Sequence, residues 1–301
     1  MRVTTNMAVN TLVQNLDRSF SRIVRFQQQL SSGTRLNTLS DDPAATERSL
    51  ALRSELRNIE QFQKNIDDGS GWLELSEATL NELESLFVEA RGLAVQGASD
   101  TYNAQQRRAV GDQIDQFLEH AISLSEARYR GRFIFAGTET SGTPYIATRD
   151  QDGNILSIAN RGSTQGTIER EISDGIVAQV NISGGDVFEG PLNSFDVLIE
   201  LRDALWTNDV ENVRDSLTQL ADMREKVSSV RGVIGARVNR MELTRNVLDR
   251  IGVEMTRVLS EDEDTDLTAT IVSLQQEQDV FQSALASGSS VIPQSLMDFI
   301  G

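Results

Sequence analysis

The chain has 301 residues, enough for two or three domains, and 39% of them are hydrophobic, which supplies packed cores and excludes a disordered tail. With 45 acidic against 28 basic residues the net charge is -17, which repels a phosphate backbone and excludes nucleic acid as a partner. The absence of cysteine removes disulfides, thiolate nucleophiles and Cys-ligated zinc, and no apolar run reaches the roughly 18 residues that membrane insertion requires.

The first ten residues, Met1 to Asn10, lack the apolar core of a cleavable signal peptide, so any secretion is expected to proceed without one. Apolar or small residues then recur at Val9, Leu12, Leu16, Ser19, Ile23, Phe26 and Leu30. The alternation of three and four is a coiled-coil seam. Ser31-Ser-Gly-Thr34 interrupts it, and a new helix starts with Asp42 as N-cap and Pro43 at the first helical position.

Leu52, Leu56, Ile59 and Ile66 continue a helical face up to Gly69-Ser-Gly71, which is expected to separate it from a second face of Leu73, Leu80, Leu83, Phe87, Ala90 and Ala94. Val110, Ile114, Phe117, Ala121 and Leu124 form a third face. Between Gly131 and Pro191 the texture changes, with ten of the 21 glycines and two of the four prolines. Asp152-Gly153 and Asp174-Gly175 each lie between apolar runs, the pattern of two hairpins in a small β-rich insert.

Helical periodicity returns at Phe195, and from Leu217 it runs through Met223, Ile234, Met241, Leu248 and Val258, a stretch of more than 40 residues that favours a rod or long bundle. Ser260 to Asp264 is expected to break it as a loop. The last helix repeats Leu267, Ile271, Leu274, Gln278, Phe281 and Leu285 at spacings of four and three. Residues 1–40 hold five arginines and one aspartate, whereas residues 261–301 hold eight acidic residues and no basic one. Opposite charge favours pairing of the two ends, with stability coming from the apolar seam.

The fold class expected is mainly α: paired N- and C-terminal coiled-coil helices, an elongated helical-bundle rod and a small β-rich insert in mid-chain. The corresponding domains are 1–42 with 261–301, 43–130 with 193–260, and 131–192. Isolated helices as short as the two ends are marginal in water, so their stripes are expected to complete their burial against neighbouring subunits.

Catalysis has no visible carrier. The single histidine, His120, has no nucleophile motif beside it and is expected at the surface. Asp262, Asp264 and Asp266 have the alternate spacing of a calcium loop, but Leu267 stands where such a loop needs glycine and Ser273 where it needs glutamate. We therefore expect no catalytic residue, no metal and no cofactor. A helical enzyme or metalloprotein centred on His120 or the acidic turn is the remote alternative.

Several segments carry a resemblance. Leu30-Ser-Ser-Gly-Thr-Arg-Leu-Asn-Thr-Leu-Ser-Asp-Asp-Pro-Ala-Ala45 resembles the N-terminal signature shared by flagellins and flagellar hook-associated proteins, and its Ser40, Asp41, Asp42, Pro43 core is similar to the hook-filament junction members of that superfamily. Gly131-Arg-Phe-Ile-Phe-Ala-Gly-Thr138, with Gly131, Phe133, Phe135 and Gly137, resembles the turn from helices into the insert in the same members. Val180 to Phe188, Val233 to Arg240 and Ser295 to Ile300 are also similar to them.

The resemblance implies a structural adaptor at the bacterial flagellar hook-filament junction, extracellular and exported through the flagellar type III route. It implies four kinds of partner: a neighbouring hook-associated protein, flagellin, copies of the chain itself, and an export chaperone at the C-terminal region. The subunit-interface residues would be Leu12, Leu16, Ile23, Phe26 and Leu30, with Leu267, Ile271, Leu274, Phe281 and Leu285 opposite. Flagellin itself is the alternative within the superfamily.

Overall fold

The computed structural model describes residues 2–38, 41–162 and 164–291. It is mainly α, with long helices and small two-stranded sheets. Helices α1 (Arg2–Ser32), α2 (Pro43–Gly97) and α3 (Ala104–Ser125) precede the β segment, and α4 (Gly184–Phe188), α5 (Ser194–Trp206), α6 (Val210–Glu263) and α7 (Leu267–Val291) follow it. Among the described residues no helix is long and apolar enough to cross a membrane. The chain divides into two compact units, Met1–Asn58 with Arg250–Gly301, and Ile59–Asp249.

In the first unit α1 ends where Gly33 turns the chain at a φ of 73°. Helix α2 starts as the sequence predicts: the Asp42 carboxylate accepts the Ala45 amide at 3.0 Å, satisfying one of the amides that the first helical turn leaves without a partner, and Pro43 supplies no amide to satisfy. Helix α6 extends further than expected. It continues to Glu263, with the Asp264 amide still bonded to Ser260 O at 2.9 Å, so the predicted loop shrinks to Asp264–Asp266. The Asp266 side chain then accepts the Ala269 amide at 3.0 Å and caps α7.

In the second unit α2 and α6 run antiparallel. Gln63 bonds Asp249 at 2.6 Å, Arg245 bonds Asp67 at 2.5 Å, and Arg231 reaches Glu77 and Glu84 at 2.7 and 2.6 Å. Buried Ile66, Leu73 and Leu80 on α2, and buried Leu220, Val227, Ile234, Met241 and Leu248 on α6, repeat every seven residues. That spacing keeps one stripe of each helix turned inward.

Gly69-Ser-Gly71 does not separate two helices; α2 runs through it. The glycines serve close approach instead, since a Cβ on Gly69 would lie 2.6 Å from Val180 Cγ1 and one on Gly71 would meet the Tyr129 hydroxyl. On α3 the inward residue is Leu118, fully buried, while Phe117 is half-buried, because the face steps from Ile114 by four and then by three to Ala121. Helices α3 and α5 cross closely at Gly111, where a Cβ would meet the Trp206 ring at 2.6 Å.

Among the described residues the β segment is three antiparallel hairpins. Strands β1 (Arg128–Tyr129) and β2 (Arg132–Phe133) turn at Arg130 and Gly131, both at positive φ, which is the tight hairpin geometry that glycine relieves. Strands β3 (Tyr145–Arg149) and β4 (Ile155–Asn160) turn through Asp152-Gly153, and β5 (Glu169–Ser173) and β6 (Ile176–Gln179) through Asp174-Gly175, as the sequence predicts. An aromatic cluster holds the base of the segment: Phe188 stacks on Phe195 at 5.1 Å, and Tyr145 meets both rings edge-on. Phe133 and Phe135 of the sequence motif are buried, and Gly137 sits at a φ of 58°.

Candidate functional site

The arrangement with most to offer a partner is the terminal helix pair and the joint beneath it, all within the first unit. Helices α1 and α7 pack antiparallel. Ser19 Oγ and Arg22 Nη2 donate to Glu277 Oε1 at 2.6 and 2.7 Å, the Phe20 and Phe281 rings lie 6.2 Å apart, and Gly288 gives the space that Leu12 occupies. Arg22 first, then Ser19, holds the Glu277 carboxyl below its usual range.

On α1 the predicted seam is the pairing face: Leu12, Leu16, Phe26 and Leu30 are half-buried, and Ser19 and Ile23 are buried. On α7 the pairing face is Thr270, Leu274, Glu277, Phe281, Ala284 and Gly288, which are buried or half-buried. The predicted stripe shares Leu274 and Phe281 with it, and Gln278 at its edge is half-buried as well. At about 100° per residue, Leu267, Ile271 and Leu285 lie roughly 60–100° round the helix, and they stay 52%, 47% and 48% exposed. The shift has a physical cause: Gly288 admits Leu12, and Glu277 is paired, so a small and a charged residue sit in the seam where the apolar pattern alone places Leu285.

Below the pair, the connectors α1–α2 and α6–α7 lie side by side, with Thr34 bridged to Asp264. The Arg35 amide donates to Glu263 O at 2.6 Å and the Thr265 amide to Gly33 O at 3.0 Å. Asp41 closes its own turn by accepting the Thr38 and Asn37 amides at 2.8 and 3.2 Å, and the Thr38 amide bond is the main reason its carboxyl is held low. Ser40 of the motif lies outside the described residues.

The acidic run that imitates a calcium loop is engaged by arginines. Arg48 Nε and Nη2 grip Asp262 at 3.1 and 2.7 Å, and Arg53 Nε and Nη2 grip Glu263 at 2.8 and 2.6 Å, with Ser49 also donating to Glu263. These bidentate forks hold both carboxyls below their usual range. Sequence reasoning missed Arg48, Ser49 and Arg53. The signal available was a Ser-Arg pair four residues apart on α2 and an acidic run without local cations, but the contact spans more than 200 residues. Among the described residues no group of His, Cys, Asp or Glu is arranged to hold a metal. His120 is exposed, 3.0 Å from Glu82.

The profile of the bacterial flagellin N-terminal helical region matches residues 3–140. The chain is 25% identical to a flagellin of Bacillus subtilis over 307 residues, covering all of both chains. These matches support a place in the flagellin superfamily. Among solved structures, FlgL of Bacillus cereus superposes with a TM-score of 0.56 at 23% identity, over 70% of this chain and 99% of that one. The flagellar junction protein FlgL of Legionella pneumophila gives 0.58 at 12% identity, over 71% and 100%. At such identities the structural likeness concerns the fold. Both kinds of match are thus to flagellar structural proteins, flagellins by sequence and FlgL proteins by fold.

Proposed function

We propose that the chain is a structural adaptor at the bacterial flagellar hook-filament junction, exported by the flagellar type III route without a cleaved signal peptide and templating flagellin polymerisation. The observation that carries this reading is the helix pair with apolar side chains left over: Leu267, Ile271 and Leu285 on α7, and Phe20 and Val13 on α1, are exposed in the single chain. Burying such side chains contributes about 1.5–3 kcal/mol each when a neighbour covers them fully. The fold shared with FlgL structures supports the junction over other flagellar positions.

In this reading Leu12, Leu16, Ile23, Phe26, Leu30, Leu274 and Phe281 hold α1 to α7, and Leu267, Ile271 and Leu285 meet neighbouring subunits. Residues 1–42 with 261–301 form the inner wall of a tube, 43–130 with 193–260 the helical domain around it, and 131–192 an outer insert. The partners are a hook-associated protein on one side, flagellin on the other and copies of the chain within the layer, with an export chaperone at the C-terminal region before assembly. Contacts of this heterologous kind propagate along an axis instead of closing into a dimer.

A second reading, the filament subunit itself, is favoured by the match to Bacillus subtilis flagellin along the whole of both chains. Deleting the gene separates them. The adaptor reading predicts hooks without filaments and flagellin released into the medium; the filament reading predicts hooks and no released flagellin.

A further inference from the structure

The two connectors of the first unit are joined by backbone at Thr34 and Asp264, and otherwise by charge. Arg48 and Arg53 reach from the first turns of α2 to Asp262 and Glu263 on the last turn of α6. Arg35, in the α1–α2 connector, donates to Asp262 O at 2.8 Å and lies 3.6 Å from Asp42. Three cations thus meet three anions in one cluster. The other charged groups nearby are occupied elsewhere: Asp41 with its own turn and with Arg25 near it, Glu261 with Arg257, and Asp264 with Ser260.

We infer that this cluster is an acid-released latch, which holds the two connectors, and through them the α1–α7 pair, in one arrangement while the carboxylates are charged. Protonation removes the anions but not the cations, because a guanidinium cannot lose its charge in a protein. Arg48 and Arg53 then lose their anions, and the short backbone bridge with the Arg35 bond to the Asp262 carbonyl is what remains between the connectors. A cavity of about 200 Å³ lined by Leu36, Thr46, Leu50, Arg53 and Glu263 lies against the latch, so the parted side chains have room to turn away. The direction is fixed. Asp262 and Glu263 are held below their usual range, so their stabilisation is complete above the ordinary carboxylate pKa and is lost as pH falls through the lowered values. The exposure of the Arg48 and Arg53 side chains, 58% and 52%, makes each pair weak alone and leaves the cluster open to protons.

The device operates in either assembly reading, so its failure leaves the adaptor proposal standing. The chain contains no cysteine, which allows a clean pair of spin labels at Ser31→Cys and Thr268→Cys in the full-length protein. Trp72 and Trp206 both lie in the second unit and report its integrity by fluorescence. The expected result is one narrow inter-label distance at about pH 7 and loss of that single distance as the pH is lowered to about 2, reversibly and with unchanged tryptophan emission. With Asp262→Asn and Glu263→Gln together, the broad distribution should already be present at about pH 7. A narrow distance that survives acid, a narrow distance in the double variant, or broadening that occurs only when tryptophan emission also changes would overturn the latch.

Discussion

Asp42 and Arg202 show how differently two charged residues serve one fold. Asp42 caps its own helix by accepting the Ala45 amide, with Arg35 3.6 Å away, and the capping role follows from the Asp-Pro step in the sequence. Replacing it by alanine should lower the stability of the first unit by about 1 kcal/mol, read as a shift in urea midpoint. Arg202 is 2% exposed, sits 4.7 Å over the Trp206 ring, and bonds Asp115 at 2.9 Å and Asp203 at 2.8 Å. Asp115→Ala leaves a buried guanidinium with one carboxylate, so a loss of about 1–3 kcal/mol is expected in the same measurement. Nothing in the sequence marks Arg202. An arginine among Leu201, Ala204 and Leu205 reads as a surface break in an apolar face until α3 supplies Asp115. The latch residues Arg48 and Arg53 were equally silent, since their partners lie more than 200 positions away.

For single elements, local chemistry was the readable part. Both Asp-Gly hairpins, the α1 seam and the long α6 follow from spacing and turn residues. What spacing could not give was the effect of neighbours on phase: α2 passes through Gly69-Ser-Gly71 because the hairpins need room there, and α7 turns a different stripe to α1 because Gly288 and Glu277 fit. Gly111→Ala tests the same logic where α3 crosses α5. The added methyl meets the Trp206 ring and the Arg202 carbonyl, so about 1–3 kcal/mol of destabilisation is expected even though alanine favours helix. On α7 the two stripes separate two roles. Ile271→Asp, on the exposed stripe, should leave the circular dichroism spectrum and melting of the monomer unchanged and abolish assembly. Leu274→Asp, on the pairing face, should loosen the α1–α7 pair as well, and intact assembly by either variant would contradict this division.

At the scale of the whole molecule, the excess of negative charge and the missing cysteines bounded the function by exclusion, and the motif from Leu30 to Ala45 pointed to the superfamily that the matches support. The pairing of the two chain ends was also legible, from their opposite charge and shared periodicity, and Arg22 with Glu277 is one place where that charge is used. In the proposed reading, position within the flagellum is a property of the assembly, and the exposed Leu267, Ile271 and Leu285 stripe would meet its complement on other chains. Gold-labelled antibody against this chain on intact flagella tests the adaptor claim most directly. The account predicts a single band between hook and filament; label distributed along the length of the filament would contradict it.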